Sequence, residues 1–218
     1  MEEYLTEKEQ IEQIRQWWRE NRWYLIGGAL IAGIGYFGYN QYQAWQTGKA
    51  EAASSIYQEL KLVLEDDDRD AADNLLARLE AEYATSPYLD QARFLIAQDN
   101  LIRDTARSIS ELEAVVAGSE DEYLVKVART RLARVLAYDE QYDRALAVLN
   151  VDDTSDFEPR FSEIRGDIHA AMGNSEAAIE AYTDALLGAA NGVINRDLIQ
   201  LKLEDLIQSQ SAGTEAAE

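Results

Sequence analysis

Residues 162–186 read SEIRGDIHAAMGNSEAAIEAYTDAL, from Ser162 to Leu186, and this stretch decides the fold. Gly166 lies in the middle of one helical run, Gly173-Asn174 interrupts the chain, and a second run follows with Ala178, Tyr182 and Ala185. Small residues let two paired helices touch, and an aromatic ring fills the gap between one pair and the next. The stretch Ala128–Leu149, ARTRLARVLAYDEQYDRALAVL, repeats the pattern. With Ala133 laid on Gly166, Ala145 falls opposite Ala178 and Leu149 opposite Tyr182. Leu132 and Leu136 flank the small residue of this upstream copy, and Glu140 stands where glycine is expected.

Outward from these two copies the pattern is helix after helix. The periodicity predicts helices over residues 49–65, 69–83, 87–103, 106–117, 121–139, 142–150, 158–172, 175–188 and 196–208. Breaks between them carry turn chemistry: Asp66-Asp67-Asp68, Ser86-Pro87, Gly118-Ser119, Gly173-Asn174 and Asn191-Gly192. No useful length alternates with period two, so no sheet is expected and the chain reads as all-α. Short helices joined by tight turns form an α-solenoid of helical hairpins. The last helix, with Leu198, Leu201, Leu203, Leu206 and Ile207, reads as a cap over the final repeat, and residues 209–218 as a disordered tail.

The chain has 218 residues, room for one anchor and one domain with its own core. Its 41 acidic and 20 basic residues give a net charge of −21. Such a surface repels phosphate backbones and anionic headgroups, so nucleic acid is not expected as a partner and the domain stands off a membrane. Cysteine is absent, which excludes a disulfide scaffold, a cysteine nucleophile and thiolate-ligated metal.

From Trp23 to Tyr39 there is no charged residue: WYLIGGALIAGIGYFGY. A helix over residues 23–45 rises about 33 Å, against a hydrocarbon core of about 30 Å. Trp23 and Tyr24 at one end, and Tyr39, Tyr42 and Trp45 at the other, suit the two membrane interfaces. A single transmembrane helix is therefore expected, and it reads as an uncleaved anchor because the long preceding region is rich in glutamate. Lys8, Arg15, Arg19 and Arg22 precede the span, while Lys49 and Lys61 are the nearest basic residues after it. That asymmetry predicts a cytoplasmic N-terminus and an outer domain over residues 46–208, periplasmic in a Gram-negative cell. Gly28, Ala32 and Gly35 fall on one helical face; they form either a packing surface for another helix or the ordinary glycine content of a membrane span. Residues 1–22 form a cytosolic amphipathic stub, with Thr6 and Glu9 as a capping box and Ile11, Ile14 and Trp18 on one face. It rests on the inner membrane surface, binds a cytosolic partner, or runs continuously into the span; the last is the favoured reading.

Nothing in the chain assembles catalytic chemistry. The single histidine, His169, falls at a packing position of a repeat helix, and one histidine makes no metal site. Asp66, Asp67 and Asp68 lack the spacing of a calcium loop. No phosphate loop, nucleophile elbow or dinucleotide fingerprint occurs. The chain is read as a binding protein rather than an enzyme, with no cofactor and no metal.

Gly166, His169, Gly173, Ala178, Tyr182 and Ala185 resemble the tetratricopeptide pattern of small residue, aromatic, Gly, Ala, aromatic and Ala. His169 departs from the usual aromatic and Arg165 from the usual apolar residue. The whole layout resembles the YfgM-like ancillary subunits of the SecYEG translocon. The block Gln13–Gly28, QIRQWWRENRWYLIGG, and the stretch Arg129–Leu186 carry that resemblance. It implies an inner-membrane protein with a periplasmic domain, associated with SecYEG and with a membrane-anchored periplasmic peptidyl-prolyl isomerase-like chaperone. It further implies a role in handing over exported client proteins. The alternative reading is a membrane-tethered regulator of an envelope stress or signalling pathway, acting through the cytosolic stub.

Overall fold

The computed structural model describes residues 7–151, 157–188 and 194–215. Among them every regular element is a helix: α1 (Glu7–Glu65), α2 (Arg69–Glu82), α3 (Pro87–Asn100), α4 (Thr105–Gly118), α5 (Glu122–Tyr138), α6 (Tyr142–Leu149), α7 (Glu158–Ala171), α8 (Ser175–Gly188) and α9 (Arg196–Glu215). The chain divides into two compact units, Met1–Ala52 and Ala53–Glu218. The capping box at Thr6 and the turn at Asn191-Gly192 lie outside the described residues.

The starts of α2, α3, α4 and α5 follow from short polar side chains that satisfy the free N–H groups of the first turn. Asp68 accepts from the Ala71 N–H, Asp104 from that of Arg107, and Asp121 from those of Tyr123 and Leu124. Ser86 accepts from the Tyr88 N–H, and Pro87, which has no N–H to satisfy, opens α3.

Three hairpins reverse by one and the same turn. Asp67, Glu140 and Gly173 have φ of 64°, 59° and 77°. The N–H of the residue after each one reaches back five residues: Asp68 to the Val63 carbonyl at 2.8 Å, Gln141 to Leu136 at 2.8 Å and Asn174 to His169 at 2.9 Å. The left-handed residue itself donates three back, to Leu64, Ala137 and Ala170 respectively. These paired bonds close the last turn of a helix around a left-handed residue. The α3–α4 junction turns differently, with the Asp104 N–H on the Asn100 carbonyl.

The core of the second unit runs through three apolar clusters. Ala53, Ile56 and Leu60 of α1 pack with Leu76 and Leu79 of α2 and with Leu89 and Ile96 of α3. The opposite face of α3, with Phe94 and Ala97, joins α4, α5, α6 and α7 around Leu112, Leu132, Leu136, Leu149, Phe161 and Ile164. Ala178, Tyr182 and Ala185 of α8 close against Ile199 of α9. A β-carbon added to Gly166 would lie 2.5 Å from Cδ1 and Cε1 of Tyr182, so the ring rests directly on the α7 backbone. In the upstream copy the corresponding pair is Ala133 and Leu149, both fully buried: one methyl larger on one side, a narrower side chain on the other. The α9 cap is fastened through Asp167, which accepts both the Tyr182 hydroxyl and the Lys202 ammonium at 2.6 Å.

Arginines join the helices end to side. None of α4, α6 and α8 has a basic residue in its own last turn. Arg93 of α3 donates to the Ala114 carbonyl of α4 at 3.3 Å, Arg129 of α5 to Val148 of α6 at 2.9 Å, and Arg196 of α9 to Leu186 of α8 at 2.8 Å. Each guanidinium meets a carbonyl in the last turns of a helix, where the negative end of its dipole lies; those of Val148 and Leu186 have no partner within their own helix. Arg93 also pairs with Glu80 of α2 at 3.0 Å and lies 3.9 Å from the buried Glu111 carboxylate, tying three helices together.

Three expectations require correction. No helix among the described residues is long and apolar enough to cross a membrane, so the span expected over residues 23–45 is not identified on that criterion. Gly27, Gly28, Gly33, Gly35 and Gly38 add little apolar area, Tyr and Trp carry polar tips, and Asn40, Gln41, Gln43 and Gln46 end the apolar run. The helices expected over residues 23–45 and 49–65 are one; α1 runs through Gly48, since one helical glycine costs only about 1 kcal/mol and Lys49-Ala50-Glu51-Ala52 are good helix formers. Likewise α9 continues to Glu215 rather than ending at Gln208, so residues 209–215 are helical, while 216–218 lie outside the described residues.

Gly166→Ala is expected to destabilise the second unit by about 1–3 kcal/mol through overpacking against Tyr182. Adding Tyr182→Leu, the partner found in the upstream copy, recovers part of that loss in a double-mutant cycle followed by thermal melts. Glu140→Gly relieves a left-handed residue that costs about 1–2 kcal/mol against a smaller entropic loss, so melting shifts up by about 1–4 °C. Asp67 is held below its ordinary pKa of 3.8 by hydrogen bonds from Arg69 and Arg103. Its contribution is therefore present above pH 3.8 and is lost as pH falls through the lowered folded value. Asp67→Asn, which keeps a side chain tolerant of the left-handed turn, should lower the melting temperature at pH 7. The gap from the parent chain should close in melts taken below pH 3.8.

Candidate interaction site

In the first unit, the apolar side chains of α1 face outward on every side of the helix. Trp23 and Tyr24 are 70% and 81% exposed, and Ile31, Ile34, Tyr36 and Phe37 are as open. The sequence-predicted interface rings fall in two groups. At one end the Arg22 guanidinium lies 5.7 Å from the Trp23 ring, with Tyr24 next to it. At the other, Gln43 donates to the Tyr39 hydroxyl at 2.9 Å and Gln46 to that of Tyr42 at 2.6 Å, while Lys49 sits 4.1 Å over the Trp45 ring. Tyr39 and Tyr42 thus have a polar neighbour at the hydroxyl and Trp23 and Trp45 a cation over the ring, an arrangement that suits a boundary between apolar and wet surroundings. Gly28, Ala32 and Gly35 lie between the groups on open helix; a β-carbon at either glycine would meet nothing within 4 Å.

The predicted repeat-packing residues of the second unit come together in its interior with two exceptions. Leu132, Ala133, Leu136, Ala145, Gly166, Ala178, Tyr182 and Ala185 are buried. Gly173 is exposed and packs on nothing; it is required by the turn, whose φ of 77° a side chain resists. His169 is half-buried, with Nδ1 enclosed and bound to no hydrogen-bond partner among the described residues. It borders an open cleft with Asp143, Asn150 and Arg165. Burial, then the adjacent Asp167 carboxylate, holds the Tyr182 hydroxyl protonated far above its ordinary range.

The sequence reading missed a cavity of about 310 Å³ between α3, α4 and α5. Phe94 and Ala97 of α3, Leu101 just after it, Leu112 of α4 and Val135 of α5 line its apolar interior. Ser108 is there as well, but its hydroxyl is spent on the Ala97 carbonyl at 2.8 Å. Gln98, Arg131 and Arg134 stand at the rim, all exposed, with the Arg131 guanidinium 4.5 Å over the Phe94 ring. The one available signal was the density of arginine in RTRLAR, residues 129–134.

No cluster of three or more His, Cys, Asp or Glu able to hold a metal occurs among the described residues. The Asp66-Asp67-Asp68 run is spent on structure: Asp67 pairs with Arg69 and Arg103, and Asp68 caps α2. Glu111 is buried and its carboxyl is pushed up by that burial, with Arg107 and Arg93 opposing the shift.

Comparison with known proteins places this geometry in a family. The family model described as a tetratricopeptide repeat-like domain matches residues 15–208. A protein of Aggregatibacter actinomycetemcomitans named ancillary SecYEG translocon subunit is 30% identical over 206 residues, covering 93% of this chain and 98% of the relative. Proteins of the same name from Neisseria gonorrhoeae and Escherichia coli are 27% and 23% identical, each over 94% of this chain and over 100% and 99% of their own lengths. No solved structure matches. The chain therefore belongs to the tetratricopeptide repeat-like family that includes the proteins named ancillary SecYEG translocon subunits.

Proposed function

We propose that this chain is a membrane-anchored, non-catalytic interaction subunit of the SecYEG translocon. Its second unit binds other proteins as they are handed from the translocon to periplasmic chaperones, a membrane-anchored isomerase-like chaperone among them. The observation that carries the reading is likeness over nearly the whole chain to proteins named for that assembly. A scaffold of stacked helical hairpins suits the task, since such arrays present extended surfaces and leave their cores to stability.

The anchor in this reading is the segment 23–45. Its support is an apolar surface exposed on every face of a helix, which in a folded chain needs a cover, and the polar-tipped rings grouped near each end. It is short in apolarity and rich in glycine, and the Gly28–Ala32–Gly35 face gives another membrane helix close approach. Lys8, Arg15, Arg19 and Arg22 set residues 1–22 in the cytoplasm, which puts the second unit in the periplasm and the protein in the cell inner membrane. Tethering next to the translocon exit raises the effective concentration of the unit for emerging chains.

Photo-crosslinking in native membranes tests this. With a photoreactive residue at Ile31 in the first unit or at Tyr138 in the second, translocon subunits and a membrane-anchored isomerase-like protein are the expected products. Capture of cytosolic proteins alone would replace this reading with the regulator acting through residues 1–22.

A further inference from the structure

We infer that the cavity between α3, α4 and α5 is a docking site for a segment of a partner protein in which a bulky apolar side chain lies next to a carboxylate. The inference rests on the interaction reading above and names the chemistry of one of its contacts.

The argument begins with how the second unit spends its arginines. Arg69, Arg78, Arg93, Arg103, Arg107, Arg144, Arg160 and Arg165 are in ion pairs. Arg129 and Arg196 hold helix-end carbonyls. Arg131 and Arg134 differ: among the described residues neither has an ion pair or a backbone acceptor, and Arg131 meets only the face of Phe94. In a chain with 41 acidic residues, two adjacent guanidinium groups left without carboxylates are out of keeping with the rest. One turn apart on α5, at i and i+3, they lie together on one side of the helix.

Both stand at the rim of the cavity of about 310 Å³. Its interior is apolar, and its single hydroxyl, on Ser108, already donates to the Ala97 carbonyl. The interior therefore selects an apolar group, while the rim offers planar forks that match a carboxylate. The volume is at the low end for ligand sites, roughly 300–1,000 Å³, and fits one or two large side chains. A peptide side chain such as Leu or Phe enters between Phe94 and Val135, and a neighbouring Asp, Glu or chain-terminal carboxylate meets Arg131 and Arg134. A polyanion is disfavoured by the charge of −21, which repels it everywhere beyond these two residues.

The test is selection from a phage-displayed random heptapeptide library on the full chain held in phosphatidylcholine nanodiscs, with empty nanodiscs as control. Winning peptides, labelled with fluorescein, are then titrated by anisotropy. The expected winners carry Leu, Ile, Phe or Trp within two positions of an acidic group. The charge-reversed chain R131E/R134E should bind them about tenfold or more weakly, while R131K/R134K, which keeps charge but loses the fork, retains part of the affinity. Both variants change exposed residues, and unchanged melting temperatures confirm their folding. Basic winners, no enrichment over empty nanodiscs, or equal binding to the charge-reversed chain would each overturn the inference. The measurement contains no translocon, so failure here leaves translocon association standing, and loss of translocon crosslinks leaves this site standing.

Discussion

A hairpin of two helices requires the chain to reverse within a few residues while the last carbonyls of the first helix are still satisfied. In three hairpins here that constraint is met by one left-handed residue at the turn, while the α3–α4 junction reverses without one. Glu140 and Gly173, at matching positions of the two copies, reverse the chain through the same pair of backbone bonds and so at a repeated offset. That fixed offset brings Tyr182 onto Gly166 and Leu149 towards Ala133. Without the turn the small residues would face nothing that needed them small.

Much of this was legible in the sequence, for reasons that are local. Asp68, Ser86 and Asp121 announce helix starts because capping uses side chains within three residues of the N–H they satisfy. Glu140 was recognisable as occupying a glycine position because the two copies align without a gap, and the structure gives it the left-handed φ that the alignment implies. The helix bounds from α2 to α8 fall within a few residues of the predicted ones for the same reason.

What was not legible depends on contacts between distant residues or on weak local preferences. Phe94 and Arg131 meet across α3 and α5, and nothing in either segment marks the other as its neighbour. Gly48 and the run after Gln208 mislead because glycine, serine and alanine permit a helix without demanding one. The aromatic rings of residues 23–45 gave a clear pattern of ends, yet the glycines between them dilute apolarity below that of a long apolar span. Gly173 was grouped with the packing residues although its role is conformational, because a repeat pattern records where a residue type recurs and not why.

The arginines that hold the ends of α4, α6 and α8 bear on how the fold responds to acid. A carboxylate partner is lost when it takes up a proton, so the pairs of Asp67 with Arg69 and Arg103 weaken as pH falls through the lowered pKa of Asp67. A backbone carbonyl has no proton to gain in that range, and a guanidinium has none to lose. The bonds from Arg93, Arg129 and Arg196 to helix-end carbonyls are therefore indifferent to pH. Acid would release the carboxylate pairs around Asp67 and leave the guanidinium-to-carbonyl bonds at the ends of α4, α6 and α8 in place.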